Sequence, residues 1–271
     1  MPIELVGPGG RIRCSIDQER GGRLASLTVN GLSLLVPQSD GLGPFEWGSY
    51  PMVPWAGRIR DARFSFDGRD VRLPPNDGPH ALHGTCFDAT WTVHESTGSM
   101  ARLEIAVPGP WPFGGIAWQL IELRNAGLSL ELGVTAPDDR AMPVALGWHP
   151  WFRRRLERGG ELELDVDLSA ARLYTRDADG LPTGELTPPS DCPWDDCFTG
   201  AGAIALRWPG ALTLRLEHDC PSLVLYTEPA HAACVEPQTG PPDVFTLEPA
   251  AARVGAGASR VAHATMLFET P

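Results

Sequence analysis

Short segments in which apolar and polar residues alternate recur along the whole chain, and they constrain its fold more than any other feature. Glycine and proline, 30 and 27 of the 271 residues, separate these segments at intervals of about eight to twelve residues. In ELELDVDL, residues 161–168, the apolar side chains fall on one face and the acidic ones on the other, as a half-solvated strand requires. Asp67-Gly68 and Asn30-Gly31 predict hairpins, because these pairs readily adopt the positive φ angles of a two-residue turn.

The number of such segments predicts an all-β protein. About a dozen or more strands, without a comparable set of helical patterns, pack most readily as large antiparallel sheets lying face to face. The sequence has no low-complexity linker, charge run or internal repeat that would divide it. We therefore expect a single antiparallel β-sandwich domain over residues 1–271.

Charge and composition exclude several classes of partner. A net charge of −12 disfavours nucleic acid and anionic membranes, which attract clustered positive charge, so a neutral small molecule fits better. No apolar run approaches the roughly 20 residues of a membrane span, and the N-terminus lacks the pattern of a secretion signal. A cytoplasmic protein is expected. The six cysteines are scattered, without a CxxC pair, which favours reduced thiols over disulfides or a zinc site.

Four segments interrupt the strand pattern with polar and aromatic residues. Loops at strand ends are where a rigid β scaffold usually carries its binding groups. Nucleotide binding is not indicated, because the GxGxxA of TGAGAIAL, residues 199–206, leads into a strand pattern and not a helix. The four segments are YPMVPWAGRIRD (50–61), GPHALHGTCF (78–87), GWHPWF (147–152) and CVEPQTGPPD (234–243).

Two residues in these segments are candidates for proton transfer. His149 lies among aromatic residues, an environment that recurs where flat apolar ligand faces are bound, although a buried structural histidine would show the same pattern. Glu236 ends an apolar strand beside Pro237, where burial raises a carboxyl pKa toward the range of a general base. The alternative for Glu236 is a rim carboxylate paired with an arginine.

Other polar residues are candidates for holding a ligand. Arg58 offers planar donors to hydroxyls or carboxylates. His80 and His83 form an HxxH pair, which suits either a metal site or histidines bonded to the backbone, and the structural interpretation is favoured for His80. Asp195 and Asp196 are neighbours on a predicted strand, so one of them is expected to face a site.

Taken in order, the four segments resemble motifs of the aldose 1-epimerase (galactose mutarotase) family, and the match runs nearly end to end. PMVPWAGRIRDARFSFDG (51–68) is similar to the family's Asn-Arg-Ile segment and following hairpin, and LHG (82–84) to its LHG motif. PVALGWHPWF (143–152) resembles the histidine motif, and CVEPQTGPPDVFTLEP (234–249) the glutamate segment. Gly57 departs from the family pattern, since many relatives have asparagine there.

The resemblance implies an antiparallel β-supersandwich with a sugar cleft, and interconversion of the α and β anomers of an aldose. By motif position, Glu236 would be the general base and His149 the general acid. The family's substrate-binding acid stands three residues before a phenylalanine, which selects Asp195 over Asp196. The resemblance assigns the sugar hydroxyls to Arg58, His83 and Asp195.

Anomer exchange requires removal of the C1 hydroxyl proton while the ring oxygen is protonated, so one base and one acid suffice. We expect His149 to be protonated and Glu236 ionised at rest, on opposite sides of the C1–O5 edge of the sugar. Trp148 is expected to contact a flat sugar face, with Trp151 as the alternative. No metal, nucleotide or other cofactor is required by this chemistry.

Three alternatives to a free-sugar mutarotase remain. A hexose-6-phosphate epimerase would gather arginines around the cleft, for which Arg153, Arg154 and Arg155 are available. A sugar-binding module would keep the cleft without catalysis, and a metalloprotein would use the HxxH pair. The expected partner is a small aldose, bound by a monomer or a homodimer.

Overall fold

The computed structural model describes residues 1–39 and 41–271. Strands dominate these residues, and the helical segments among them are short turns. These turns are a 3₁₀ turn at Arg60–Ala62 and the helices α1 (Val244–Leu247) and α2 (Pro249–Ala252).

The strands make up about half of the described residues and are joined by loops of varying length. In chain order they are β1 (Ile3–Val6), β2 (Ile12–Asp17), β3 (Arg23–Val29), β4 (Leu32–Ser33), β5 (Ser49–Met52), β6 (Arg58–Ile59), β7 (Arg63–Phe66), β8 (Arg69–Arg72), β9 (Ala81–Leu82), β10 (Thr92–Ser96), β11 (Met100–Ala106), β12 (Ile116–Leu123), β13 (Gly127–Thr135), β14 (Met142–Pro143), β15 (Gly147–Arg153), β16 (Glu163–Val166), β17 (Arg172–Arg176), β18 (Pro182–Thr187), β19 (Asp195–Thr199), β20 (Ile204–Trp208), β21 (Leu212–His218), β22 (Ser222–Tyr226), β23 (Ala232–Gln238), β24 (Arg253–Val254) and β25 (Ser259–Glu269).

Most strands belong to two large antiparallel sheets. The first sheet has the order β1-β2-β3-β5-β15-β23-β22-β19-β17-β18, with β4 added beside β3. The second sheet has the order β10-β11-β12-β13-β25-β21-β20-β16. Short two-stranded ladders join β6 to β9, β7 to β8 and β14 to β24.

The two large sheets share one hydrophobic core. Strand alternation sends every second side chain of each sheet to this interface, and burial of each large apolar side chain there stabilises the fold by about 1.5–3 kcal/mol. The predicted antiparallel all-β supersandwich is therefore confirmed. Core side chains include Leu27, Phe152 and Val235 from the first sheet and Leu130, Leu214 and Met266 from the second.

The first sheet also carries apolar side chains on its other face, and β15 shows how the two faces are divided. Trp148 and Phe152 belong to the core between the sheets, whereas Trp151 belongs to a separate cluster with Tyr50 and Cys234. A central strand that is anchored in the core on one face is a rigid support for functional groups on the other.

Both predicted hairpin turns are confirmed. Asp67 and Gly68 have φ angles of 50° and 74° and connect β7 to β8. Asn30 and Gly31 have φ angles of 49° and 78° and connect β3 to β4.

All six cysteines are free thiols, in agreement with their scattered positions in the sequence. Among the residues that the structure describes, no helix has both the length and the apolar character needed to cross a membrane.

Candidate active site

A cavity of about 310 Å³ opens on the face of the first sheet that points away from the second sheet. Its walls come from β15, β17, β19, β22 and β23 and from the loops around β6 and β9. The cavity brings together five of the six residues that the sequence singled out. These are Arg58, His83, His149, Asp195 and Glu236.

The centre of the cavity wall is a direct contact between the candidate acid and base. Because Trp151 lies opposite Cys234 in the antiparallel pairing of β15 with β23, His149 on the one strand faces Glu236 on the other. Nε2 of His149 lies 3.2 Å from Oε1 of Glu236. Both side chains are almost fully buried, with exposed fractions of 6% and 2%, so water screens this contact poorly.

Aromatic stacking fixes the orientation of the His149 ring. Tyr50, its cross-strand partner on β5, stacks on one side at 4.9 Å between ring centroids and 22° between planes. The Trp151 ring stacks at 5.4 Å and 16°. Since Nδ1 of His149 has no hydrogen-bond partner among the described residues, these rings and Glu236 determine where Nε2 points.

Burial controls the protonation of the pair. It lowers the pKa of His149 to about 3 and raises the pKa of Glu236 well above its usual value, an effect that the charge of Asp195 increases. Gln238, which donates a hydrogen bond of 3.1 Å to Oε2 of Glu236, and the charge of Arg58 act against this rise in pKa. Burial therefore favours an uncharged pair with the mobile proton on Glu236.

This result corrects the expected resting state. Protonated His149 beside ionised Glu236 carries the same number of protons, but it places two charges on side chains that are buried from solvent. The two groups also touch each other in the sugar-free protein, instead of standing apart on opposite sides of a sugar edge.

His83 presents a defined donor to the cavity. Its backbone N–H donates to the Gly57 carbonyl at 3.0 Å, and the Gly57 N–H donates to Nδ1 of His83 at 3.2 Å. Because Nδ1 accepts, the proton of the neutral ring lies on Nε2. Burial lowers the pKa of His83 well below its usual value, and electrostatic repulsion from His149 when it is protonated and from Arg58 lowers it further.

Packing explains why glycine occupies position 57. Gly57 has a φ of +70°, and a Cβ atom there would lie 2.8 Å from side-chain atoms of Pro242. An asparagine at this position would therefore force Pro242 to move. Glycine at position 57, where many relatives have asparagine, therefore allows the loops that carry Gly57 and Pro242 to pack closely beside the cavity.

Arginine–aspartate pairs line the side of the cavity. Nε of Arg58 lies 2.6 Å from Oδ2 of Asp77, and Arg176 binds both Asp195 at 3.2 Å and Asp196 at 3.1 Å. Both aspartates line the cavity, so the expectation that only one of them would face it is wrong. β19 begins at Asp195, and at this strand end Arg176 draws both carboxylates to the same side.

The expectation that Trp148 contacts the sugar is also wrong. Trp148 is buried in the core between the two sheets, because it lies one residue from His149 and so on the opposite face of β15. Trp151, two residues from His149, lines the cavity, and its indole N–H donates to the Phe45 carbonyl at 2.6 Å. Trp151 is therefore the tryptophan of this motif that lines the cavity, with its ring stacked on those of His149 and His231.

The HxxH pair is held by two different backbone contacts. Nδ1 of His80 accepts a hydrogen bond of 3.1 Å from the Asp61 N–H, while Nδ1 of His83 accepts from Gly57. Only His83 contributes to the cavity among the described residues. This arrangement agrees with a structural role for His80 and gives no support to an HxxH metal site.

Sequence reasoning missed three residues of the site. Gln238 carried a usable signal, because it lies two residues after Glu236 on the same strand and so on the same face. Tyr50 begins the polar and aromatic segment 50–61, but its contact with His149 depends on the pairing of β5 with β15. Arg176 carried no signal, since it lies on a strand that is distant in sequence.

Comparison with known proteins identifies the class of protein to which this fold and site belong. The sequence model described as aldose 1-epimerase matches residues 13–260. The chain therefore belongs to the aldose 1-epimerase family.

Its relatives include proteins with and without a named activity. It is 28% identical to the uncharacterized protein YihR of Escherichia coli K12 over 169 residues, 60% of this chain and 54% of that protein. It is 26% identical to mouse galactose mutarotase over 137 residues, 49% of this chain and 40% of that protein. The chain thus spans about half the length of these curated relatives.

Solved structures share the fold along the whole chain. A galactose mutarotase-like protein from Clostridium acetobutylicum superposes with a TM-score of 0.85 at 17% identity, covering 97% of this chain and 94% of that one. The GalM/aldose epimerase homologue from C. elegans has a TM-score of 0.85 at 17% identity and covers 100% and 99%. At this identity the likeness establishes the fold.

The His83→Asn variant should lose less stability than the wild-type protein as the pH falls. The folded pKa of His83 lies well below its usual 6.5, so below pH 6.5 the unfolded chain binds a proton that the folded chain excludes, and stability falls as the pH falls. Asparagine keeps an acceptor for the Gly57 N–H and tolerates the φ of 59°.

One such histidine lowers the free energy of unfolding by up to about 1.4 kcal/mol for each unit by which the pH falls. Urea denaturation of both proteins at several pH values below 6.5 measures the slope of the free energy of unfolding against pH. An equal slope in the wild type and the variant would contradict the assignment of His83 as a buried neutral group.

Proposed function

We propose that the protein is a mutarotase that interconverts the α and β anomers of a neutral aldohexose by acid/base ring opening and closure. The observation that carries this proposal is the buried contact between His149 and Glu236, 3.2 Å apart, on the wall of the cavity. Membership of the aldose 1-epimerase family supports it. The cavity, about 310 Å³, is at the small end of the range of ligand sites.

The reactive form of the pair has Glu236 ionised and His149 protonated. It arises when one proton moves from Oε1 of Glu236 to Nε2 of His149, and this transfer leaves the net charge of the site unchanged. Sugar hydroxyls that donate hydrogen bonds to the carboxylate favour its ionised form. Substrate binding therefore offsets the burial that holds the sugar-free pair uncharged.

Ring opening then uses both groups. The carboxylate of Glu236 takes the proton of the C1 hydroxyl, His149 gives its proton to the ring oxygen, and the C1–O5 bond breaks to leave an aldehyde. Rotation about C1–C2 exposes the other carbonyl face, and closure reverses both transfers. The open-chain state leaves the proton on Glu236 and His149 neutral, which is the form that burial favours, and no proton exchange with solvent is needed.

The other cavity residues hold the substrate. His83 donates through Nε2–H, and Arg58 and Arg176 retain guanidinium N–H groups beyond those used in their ion pairs. Asp195 accepts hydrogen bonds from sugar hydroxyls. Trp151, whose ring stacks on those of His149 and His231, adds apolar surface to the lining against which the C–H groups of a sugar can pack.

Replacing Glu236 with glutamine should abolish most of the catalysis. The amide keeps the shape of the side chain but cannot accept the C1 hydroxyl proton, so we expect a loss of about 10²–10⁴-fold in rate with sugar binding largely retained. Polarimetry on freshly dissolved α-glucose and α-galactose, corrected for spontaneous mutarotation, measures the rate.

Glu217→Gln is the matched control, because it makes the same change at an exposed position on β21 in the second sheet, and it should keep full activity. An active Glu236→Gln variant would remove Glu236 from the mechanism. A wild-type protein that binds either sugar without accelerating mutarotation would favour the alternative of a sugar-binding module.

The charges of the cavity favour a sugar without an anionic substituent. The two arginines among its described lining residues are already paired, Arg58 with Asp77 and Arg176 with Asp195 and Asp196. An incoming phosphate would have to displace these partners. The lining also contains carboxylates that repel an anion, namely Glu46, Asp195, Asp196 and Glu228.

The arginine triplet after the histidine motif gives no support to the sugar-phosphate alternative. Arg153 contacts Glu157 at 2.8 Å, and Arg155 contacts Glu161 at 2.5 Å. Arg154 donates to the carbonyls of Thr227 and Pro229. Each arginine of the triplet thus has partners of its own. None of the three arginines is among the described residues that line the cavity.

Hexoses should therefore be better substrates than their 6-phosphates. We expect kcat/KM to be at least about tenfold higher for the free sugar, a difference of about 1.4 kcal/mol, because of the repulsion and the lost ion pairs. Polarimetry with glucose and glucose 6-phosphate at matched ionic strength makes the comparison. Faster turnover of the phosphate would contradict the assignment of a neutral substrate.

A further inference from the structure

We propose that His149, Cys234 and Glu236 form a binding site for a thiophilic divalent cation such as Zn²⁺, and that the bound cation excludes the sugar. The competition with sugar rests on the proposed function, whereas binding of the cation does not. The three residues offer an imidazole nitrogen, a thiol sulfur and a carboxylate oxygen, which are the ligand types that zinc prefers.

The sheet places these groups around one point. Cys234 lies two residues before Glu236 on β23, so both side chains leave the same face of the strand, and His149 faces them from β15. Their ligand atoms all lie within 4.8 Å of one another, and all three residues are buried. Such a set differs from an exposed acidic cluster, since each of its members contributes a different kind of donor atom.

The spacing agrees with tetrahedral coordination. Zinc–nitrogen and zinc–oxygen bonds of about 2.0–2.1 Å place two ligand atoms about 3.3–3.4 Å apart at a tetrahedral angle, and Nε2 of His149 lies 3.2 Å from Oε1 of Glu236. Sγ of Cys234 lies within 4.8 Å of both atoms, and coordination requires it to approach them to about 3.5–3.6 Å, the separation that a Zn–S bond of about 2.3 Å gives at a tetrahedral angle. A fourth position remains for water from the cavity.

Neighbouring groups support this arrangement. Gln238 donates to Oε2 of Glu236 at 3.1 Å, which orients the carboxylate and leaves Oε1 for the cation. A thiolate, a carboxylate and a neutral imidazole balance a charge of two, so the loaded site is neutral, as burial requires. The cation replaces the thiol proton of Cys234 and the proton shared by His149 and Glu236.

Inhibition follows from the atoms that are used. The cation occupies Nε2 of His149 and Oε1 of Glu236, the two atoms that transfer protons in the proposed reaction. A sugar that sets its C1 hydroxyl and ring oxygen against these two atoms cannot take that position while the cation is bound, so the two ligands compete.

Co²⁺ is a direct probe of the site, because a bond between cobalt and a thiolate produces a charge-transfer absorption band. We expect this band on titrating the wild-type protein with Co²⁺ and its loss in Cys234→Ser. Cys197→Ser is the matched control, since Cys197 is another buried thiol beside the cavity but is not one of the three ligands, and its band should remain. Circular dichroism checks that each variant is folded.

In polarimetry, Zn²⁺ should raise the apparent KM for the sugar in the wild type, and Cys234→Ser should require at least about tenfold more Zn²⁺ for the same effect. Absence of the cobalt band, or a band that survives Cys234→Ser, would overturn the proposal. A Cys234-dependent band in a protein without mutarotase activity would uphold the cation site and overturn only the proposed function.

Discussion

The structure depends on the antiparallel pairing of β15 with its neighbours β5 and β23. Trp148 and Phe152 anchor one face of β15 in the core between the two sheets, and this fixes which residues the other face presents. The same register sets His149 against Glu236 and beneath Tyr50. A slip of one residue would exchange the two faces of the strand, so the packing of the core determines the chemistry of the cavity.

Burial of the His149–Glu236 contact explains both of the proposals made for this site. Because both side chains are buried, the pair is most stable when neither group is charged and one mobile proton lies between them, which is what a reaction that removes one proton and returns another requires. A cation is stable at this buried site only if ionised ligands neutralise its charge. Cys234 and Glu236 can supply two negative charges, and His149 supplies a neutral nitrogen ligand. One wall of the cavity therefore suits proton transfer and, with the thiol, metal coordination.

The sequence predicted the fold class and both hairpin turns, because strand alternation and turn chemistry are local properties. The five predicted residues that meet in the cavity came from the polar segments at strand ends and from the resemblance to the aldose 1-epimerase family. Sequence reasoning failed where the answer depended on register. Residues 147–152, predicted as a break in the strand pattern, lie within β15, and alternation along that strand puts Trp148 on the face opposite His149 and Trp151. Tyr50 and Arg176 reach the site from distant strands. The resting protonation of His149 was also out of reach, since it depends on burial and not on residue type.

Kinetic coupling between His149 and Glu236 tests the central claim that they act as one proton-transferring unit. Magnetization-transfer NMR at anomeric equilibrium would give the catalysed exchange rate for Glu236→Gln, His149→Asn and the double variant. If the pair works as a unit, each single variant loses about 10²–10⁴-fold and the double variant loses no more than the worse single one. Losses that multiply in the double variant, or a single variant with full activity, would contradict the account.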